Sequence, residues 1–436
     1  MLIQRIAIIL LFLAPVASAE VHSLTLRQAL DLAARQNPDV VLARLDQEHA
    51  EESIRVAQDP FRPKIYAGSG LAYTYGYPNS IEGNAPSIFQ TRTDMALYNR
   101  PKSYELAAAR EVAHGSELGA EAKLGEVAYQ AADLFLTASQ TEHEVETISN
   151  EIPSLQRVVQ VMAAAVEEGS QLPVELKRAR VNMAVSQQRL GASLQDQDYY
   201  EMMLAVVLGY PATDRVKPVD SELPALEGPA SETEATDAAL QNSRELRQMQ
   251  ANILAKQLDV RSYKAAHLPQ VDLVAQYALF AKYNYQQYFQ KFQRNNFQIG
   301  ASITIPILVG PAPKALAAQA NTDLQKLRVQ MDQARNRIIT ETRRSYEQWK
   351  KAESFRDLVR EQLDLVREDL TVALAQNGEG RVSLKEVEQK RLDESDRWIA
   401  LYDAETQVTR AKLAMLRETG TLLAAVRGGH GAAQPE

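Results

Sequence analysis

The sequence predicts a mainly α-helical fold with a small β part, in which one series of elements occurs twice. Three observations predict it. Apolar residues recur at helical spacing over long stretches with few breakers between them. Four shorter runs alternate apolar and polar residues, as strands do. The second half then repeats the order of the first at an offset of about 210 residues, so that Gly169 corresponds to Gly380.

The composition excludes several classes of protein. The 436 residues include no cysteine, which excludes disulfides, thiolate metal sites and a lipid-modified cysteine. A net charge of −8 argues against nucleic acid as a partner, and a 45% hydrophobic, 24% charged chain is neither disordered nor a polytopic helical membrane protein. No Gly-x-Ser-x-Gly, His-Glu-x-x-His or phosphate-loop motif occurs, and the six histidines are scattered. We therefore expect no enzyme, no cofactor and no metal site.

Residues 1–19 have the features of a secretory signal peptide. Arg5 precedes an apolar run, and Ala17-Ser18-Ala19 precedes Glu20. The apolar run is shorter than the ~20 residues that span a bilayer, which argues against a membrane anchor. We therefore expect export and cleavage after Ala19. No later stretch is long and apolar enough to span as a helix, so any membrane insertion must use strands.

The breakers and turn residues place the elements of the first repeat, residues 20–210. We expect a helix from Ser23 or Thr25 to Ala34, a helix from Asn37 to Asp59, strands over about 64–77 and 88–99 joined as a hairpin, a long helix over 102–166, a turn at 168–170 and a return helix over 174–208. Pro153 should kink or break the long helix. At 1.5 Å per residue that helix would extend ~95–100 Å, so it must pack laterally against other long helices as an antiparallel coiled coil.

A linker at 211–229 separates this repeat from the second, residues 230–427. The second repeat has the same order of elements: strands over about 271–283 and 297–308, a long helix over 314–376, a turn at 377–380 and a return helix over 384–426. The tail, residues 428–436, is rich in Gly and Ala and is predicted to be disordered.

All four strand runs have an apolar face and a polar or small face, as transmembrane strands do. An ordinary half-buried antiparallel sheet shows the same alternation and is the alternative. Open strand edges are not tolerated in hydrocarbon, and small barrels begin at about eight strands, so several copies would have to share one barrel. The polar residues of these runs that would face its lumen are Gln90, Arg92, Asp94, Asp272, Gln276 and Lys282.

Over nearly the whole mature chain this arrangement resembles the TolC-like outer-membrane efflux family of Gram-negative bacteria. Residues 24–38, Leu-Thr-Leu-Arg-Gln-Ala-Leu-Asp-Leu-Ala-Ala-Arg-Gln-Asn-Pro, are similar to that family's N-terminal segment. Residues 297–310, Phe-Gln-Ile-Gly-Ala-Ser-Ile-Thr-Ile-Pro-Ile-Leu-Val-Gly, resemble its fourth strand and the exit into the long helix. The duplicated order of elements is also that of the family.

The resemblance implies a homotrimer in the outer membrane that extends into the periplasm. Three chains would contribute four strands each to one 12-stranded barrel, and their duplicated helical hairpins would continue it as an α-helical barrel. The implied function is the exit duct of a tripartite efflux pump or type I secretion system. Its implied partners are a periplasmic adaptor, an inner-membrane transporter of the RND or ABC type, and outer-membrane lipid.

The resemblance also implies a closed periplasmic tip at the two glycine turns, with Gly169, Glu175, Arg178, Gly380, Arg381 and Glu386 as its residues. Glu386 would form an acidic ring at the constriction; the alternative is a solvated glutamate that favours the start of a helix. Some members of the family latch the tip with a Tyr three residues before the second Gly and an Arg two after it. Here these positions hold Asn377 and Val382, and Arg381 is the remaining candidate to pair with Glu175.

A non-conducting periplasmic scaffold or adaptor built from coiled coils is the competing function. The apolar strand faces favour the duct, since a scaffold would gain nothing from them. A passive duct takes what its partners load, so the sequence does not select among drugs, metals and polypeptides.

Overall fold

The computed structural model describes residues 20–70, 87–219, 228–280 and 294–426. Its helices and strands, in chain order, are β1 (Val21–Leu24), α1 (Leu26–Gln36), α2 (Pro38–Gln58), β2 (Lys64–Gly70), β3 (Ser87–Tyr98), α3 (Arg100–Glu167), α4 (Pro173–Val207), β4 (Arg215–Pro218), α5 (Glu232–Asn242), α6 (Arg244–Lys264), β5 (Gln270–Phe280), β6 (Asn295–Thr304), α7 (Ala312–Gly378), α8 (Leu384–Glu418) and α9 (Leu422–Val426). The predicted signal peptide and C-terminal tail lie outside the described residues.

The two series of helices match in length. Helices α1 and α5 each have 11 residues, α2 and α6 each have 21, and α4 and α8 each have 35. The long helices α3 and α7 have 68 and 67 residues. The mainly α-helical fold with a small β part is therefore confirmed, and the two halves are copies of one plan.

Strands β2, β3, β5 and β6 form one antiparallel sheet in the order β2-β3-β5-β6. The two hairpins predicted from the alternation are thus neighbours in a single sheet. Strand β6 ends at Thr304 rather than at residue 308, because Pro306 has no N–H to donate to a neighbouring strand. The predicted extensions of β2 to residue 77 and of β5 to residue 283 lie outside the described residues.

A second, smaller pairing was not predicted. Strand β1 pairs in parallel with β4, with Val21 opposite Arg215 and Leu24 opposite Pro218. Strand β4 lies within the segment predicted as a linker, so residues 215–218 are strand rather than linker. The pairing joins the residues before α1 to the residues between the two repeats.

Helix α3 continues through Pro153, so of the predicted kink or break the break does not occur, and the kink stays a prediction. Proline removes one intrahelical hydrogen bond. Ile148 and Leu155 are buried on either side of Pro153. The packing of these two side chains holds the helix together on both sides of the missing hydrogen bond. The return helix of the second repeat ends earlier than predicted: α8 stops at Glu418, Gly420 takes a φ of +72°, and α9 follows.

The chain divides into two compact units, and each repeat contributes to both. The described parts of Met1–Val41, Lys123–Asn242 and Ile338–Glu436 form one unit, which contains the largest core, around Leu26, Leu204 and Leu413. The described parts of Leu42–Ala122 and Ser243–Arg337 form the other unit, which contains the four-stranded sheet. Across the described residues, no helix combines the length and the apolar character needed to cross a membrane.

Candidate functional site at the glycine turns

The first helical hairpin turns at Gly169, as the sequence predicts. Gly169 has a φ of +73°, which favours glycine because a side chain clashes there. The N–H of Ser170 donates to the carbonyl of Ala165 at 2.9 Å, and the N–H of Gly169 donates to that of Val166 at 3.1 Å. These are the two bonds of a Schellman motif, which satisfies the last carbonyls of α3.

The second hairpin turns at Gly380 in the same way. Its φ is +71°, the N–H of Arg381 donates to the carbonyl of Gln376 at 2.9 Å, and the N–H of Gly380 donates to that of Asn377 at 3.0 Å. The two predicted turns therefore have one geometry, which places the following residues at equivalent positions.

Each return helix begins with an acidic third residue. Pro173 opens α4, and Glu175 is its third residue. Ser383 caps α8 by accepting a hydrogen bond from the N–H of Glu386 at 3.3 Å, and Glu386 is the third residue of that helix. A negative charge in the first turn interacts favourably with the helix dipole, so both glutamates help to start their helices.

Glu175 lies at the junction between the two hairpins. Its carboxylate forms an ion pair with the Lys385 ammonium of α8 and accepts a hydrogen bond from Arg178 Nη1 at 3.0 Å. Only 17% of its side chain is exposed. The hydrogen bond from Lys385 outweighs the opposing effect of burial and lowers the pKa of Glu175. The residue stays charged and joins α4 to α8.

The structure changes the predicted role of Arg381. This residue pairs with Glu379 of its own turn, with 3.1 Å between Nε and Oε2, and not with Glu175. Lys385, and not Arg381, is the partner of Glu175 across the two hairpins. Lys385 lies on the first helical turn of α8, on the side that faces α4, whereas Arg381 belongs to the glycine turn that precedes this helix.

The two positions that carry the latch in some relatives contact each other. Asn377 Nδ2 donates to the carbonyl of Val382 at 2.8 Å, so the amide fastens the second turn internally. A Tyr–Arg latch is absent at these positions, and the ion pair of Glu175 with Lys385 is one of the contacts that join the two hairpins. Glu386 is exposed beside this contact.

A cavity of about 610 Å³ lies between α3 and α8, further from the turns. Two of its carboxylates are fully engaged. Glu151 accepts hydrogen bonds from Ser186 of α4 at 2.7 Å and from Ser395 of α8 at 3.3 Å. Glu388 accepts one from Ser154 of α3 at 2.7 Å and one from Arg391 of its own helix at 3.2 Å. These glutamates bond one helix to another, which is a structural arrangement rather than a catalytic pair.

In the sheet, the predicted lumen-facing residues that the structure describes share one face. The register places Arg92 opposite Gln276 and Ala96 opposite Asp272, so Gln90, Arg92 and Asp94 of β3 lie on the same face as Gln276 and Asp272 of β5. Lys282 lies outside the described residues. The other face is apolar, and its exposed members are Ile65, Phe89, Phe297, Ile299 and Ile303.

Part of the chain matches the model of a protein family, and the chain as a whole has the fold of several solved structures. Residues 235–421 match the model of the outer membrane efflux protein family. Comparison with curated proteins finds no significant sequence match. Among solved structures, CusC, described as forming a transmembrane channel, has a TM-score of 0.74 at 16% identity and covers 91% of this chain and 92% of its own.

Two outer-membrane channels are also similar to this chain. The Campylobacter jejuni channel CmeC has a TM-score of 0.74 at 14% identity, with 91% of this chain and 86% of CmeC covered. The Neisseria gonorrhoeae channel MtrE, in its open state, has a TM-score of 0.65 at 16% identity, with 93% and 89% covered. Residues 235–421 therefore belong to the outer membrane efflux protein family, and the chain as a whole has the fold of the TolC-like outer-membrane channels.

Proposed function

We propose that the protein is the outer-membrane exit duct of a tripartite efflux pump or type I secretion system. The observation that carries the proposal is the four-stranded sheet, which has one polar face, one exposed apolar face and, among the strands that the structure describes, no partner for the outer edges of β2 and β6. An exposed apolar face on a sheet indicates contact with lipid or with another molecule. In hydrocarbon the free edges must be paired, so the sheet has to join others in a closed barrel.

Three copies of the chain form that barrel. Two copies would supply only eight strands, and the interior of an eight-stranded barrel is filled by its own side chains. Three copies supply twelve strands and leave a lumen for passage. Cyclic symmetry closes the ring with one repeated interface between β6 of one copy and β2 of the next. The lumen is then lined by Gln90, Arg92, Asp94, Asp272 and Gln276.

The long helices supply a second repeated interface. Along α7, Leu358, Leu365 and Val372 are exposed at a spacing of seven residues, the repeat of a coiled-coil seam. Along α4, Val174, Val181 and Val185 are also exposed. Apolar side chains at such spacing need a partner helix, and the neighbouring copies of a homotrimer provide it. The helices thereby form the periplasmic wall of the duct.

The glycine turns form the periplasmic tip, which the ion pair between Glu175 and Lys385 holds closed. Opening separates the two hairpins and breaks this pair. Threefold symmetry repeats Glu386 three times, which makes it the candidate for an acidic ring at the constriction. A periplasmic adaptor and an inner-membrane transporter open the tip and supply the energy, while the duct conducts passively and catalyses no reaction.

Fractionation and electrophysiology test this function together. We expect the exported protein in the outer membrane, where it forms a trimer that resists heat in detergent and conducts ions in planar bilayers. A monomer in the osmotic-shock fraction would instead support the periplasmic scaffold. A trimer that does not conduct, even with its tip ion pair removed by Lys385→Gln, would contradict the duct.

A further inference from the structure

The residue that follows the predicted cleavage point lies against a buried carboxylate. The backbone nitrogen of Glu20 donates to Asp214 Oδ1 at 3.5 Å. The N–H of Arg215 donates to the carbonyl of Glu20 at 2.9 Å, which extends the pairing of β1 with β4 by one residue. Two peptide groups around Glu20 thus contact the segment between the repeats.

Asp214 has few partners of opposite charge for a buried carboxylate. The residue is 9% exposed. Its Oδ2 lies 3.4 Å from His22 Nε2, and Thr213 Oγ1 donates to Oδ1 at 3.2 Å. The neighbouring Arg215 directs its guanidinium to Asp198, with 2.6 Å between Nε and Oδ1. Among the described residues, no lysine or arginine forms an ion pair with Asp214, whereas buried charges are normally paired.

We propose that signal-peptide cleavage after Ala19 creates a further positive partner, the α-ammonium group of Glu20, which binds Asp214. In the cleavage, water adds across the Ala19–Glu20 peptide bond: Ala19 leaves as a carboxylate and Glu20 gains an amino group. Below its pKa of about 8 this amino group is protonated. A peptide N–H with one proton is replaced by an ammonium with three protons and a full charge.

The positive charge of the α-ammonium group strengthens its contact with the Asp214 carboxylate. Hydrogen bonds between ionised groups are about twice as strong as those between neutral ones. The parallel β1–β4 pair has only four residues in each strand and gains little from its own ladder. Immediately after it, Thr25 caps α1, and Leu26 and Leu30 of α1 enter the largest core. The ion pair therefore secures the junction between the mature N-terminus and the segment that links the two repeats.

Export thereby completes the fold. Before cleavage, Glu20 offers Asp214 only an amide, and the junction is weaker. After cleavage, the ion pair between the α-ammonium group of Glu20 and Asp214 stabilises the junction. This inference depends on the export signal and not on the duct, so the two fail independently: a conducting trimer that lacks the ion pair would overturn only the inference.

A double-mutant cycle on the exported full chain tests the pair. Gly-Ser inserted between Ala19 and Glu20 keeps the cleavage site and moves the new ammonium up to about 7 Å from its place. We expect this insertion to speed proteolysis of the folded protein about tenfold, and Asp214→Asn to do the same. The insertion should have no further effect in the Asp214→Asn background. Mass spectrometry of the wild-type N-terminus should give Glu20 as the first residue.

Two controls keep the result interpretable. Glu20→Gln changes the side chain but keeps the α-amino group, and should leave proteolysis at the wild-type rate. If Asp214→Asn does not fold, acylation of the α-amino group reports directly: we expect it to react about tenfold more slowly in the folded protein than after unfolding. A different first residue, an insertion without effect, additive effects of the two changes, or an α-amino group that reacts equally fast in both states would each overturn the inference.

Discussion

Lys385 on α8 pairs with Glu175 on α4, although 210 residues separate them in the chain. Glu175 follows Gly169 by six residues, and Lys385 follows Gly380 by five. Because both turns have the same geometry, the two helices start at equivalent points and bring these residues together. The pair is therefore a consequence of the duplicated fold, and it sits where the two hairpins must part if the tip opens.

Removal of this ion pair should favour the open tip. We expect Lys385→Gln to raise the open fraction of single channels in planar bilayers by about two- to fivefold, because the loss of one ion pair whose lysine is about half exposed weakens the contact between the hairpins only modestly. Arg381→Gln is the matched control, since it breaks only the pair with Glu379 inside one turn. Equal effects of the two substitutions would show that the link between the hairpins has no special role.

The pH dependence of opening should follow from Glu175. Its pKa lies below the ordinary glutamate value of 4.5, chiefly through the hydrogen bond from Lys385. A lowered pKa in the folded state means that the pair's contribution is complete above the ordinary value and is lost as the pH falls through the lowered one. The wild-type tip should therefore keep its closed fraction down to about pH 4.5 and open below it. Single-channel recordings should show no such step below pH 4.5 for Glu175→Gln.

The local sequence determines one part of the tip and leaves another part open. Gly169, Gly380 and the acidic third residues follow from local rules, because a left-handed turn favours glycine and a helix start favours a negative charge. The partner of Glu175 does not follow from such rules. The choice between Lys385 and Arg381 depends on how α4 and α8 are rotated against each other, which no residue near either turn encodes.

The two faces of the sheet should respond differently to a new charge. Ile299, 67% exposed, lies on the apolar face of β6, and its neighbour Gln298 lies on the polar face opposite Gln276. A lysine facing lipid near the bilayer centre costs about 2–4 kcal/mol, whereas one facing a lumen costs little. Ile299→Lys should therefore sharply reduce the yield of heat-resistant trimer in outer-membrane fractions, and Gln298→Lys should not. A similar loss for both would argue against a lipid-facing sheet.

The sheet and the helices were predictable for a shared reason, and β1 was not. Alternation over ten residues, or apolar spacing over sixty, carries a signal that survives local exceptions such as Pro153. Strand β1 has four residues, and its partner β4 lies 194 residues away. A pairing this short and this distant is decided by the contacts around it, including Asp214, and not by a pattern within Val21–Leu24.

Two glycines two residues apart should give opposite results on substitution by alanine. Gly380 has a φ of +71°, whereas Gly378 is helical, and a Cβ at either position meets no atom within 4 Å. The difference is therefore one of backbone conformation alone. Gly380→Ala should destabilise the hairpin by about 1–2 kcal/mol, and Gly378→Ala should stabilise it by about 0.5–1 kcal/mol. Thermal unfolding midpoints in detergent should move in opposite directions, and a fall for both would contradict the assigned turn.

The proposed acidic ring makes a prediction about ion selectivity. If the three copies of Glu386 line the constriction, their charge attracts cations and repels anions at the narrowest point, where a ring of side chains has most influence on permeation. Glu386→Gln removes three charges there without altering the cap, because Ser383 bonds to the backbone N–H of residue 386 and not to its side chain. We expect the reversal potential in a salt gradient to shift toward anions.

Glu368→Gln removes the same charge from an exposed position on α7, about three turns before Gly378, and provides the matched control. Selectivity should change little in this variant, because residue 368 would face a wider part of the lumen or the outer surface. There, dissolved salt screens its charge within about 10 Å at ordinary salt concentration. If Glu368→Gln and Glu386→Gln shift the reversal potential equally, the charge acts from a distance and the constriction lies elsewhere. If only Glu386→Gln shifts it, the third residue of α8 faces the narrowest point of the pathway.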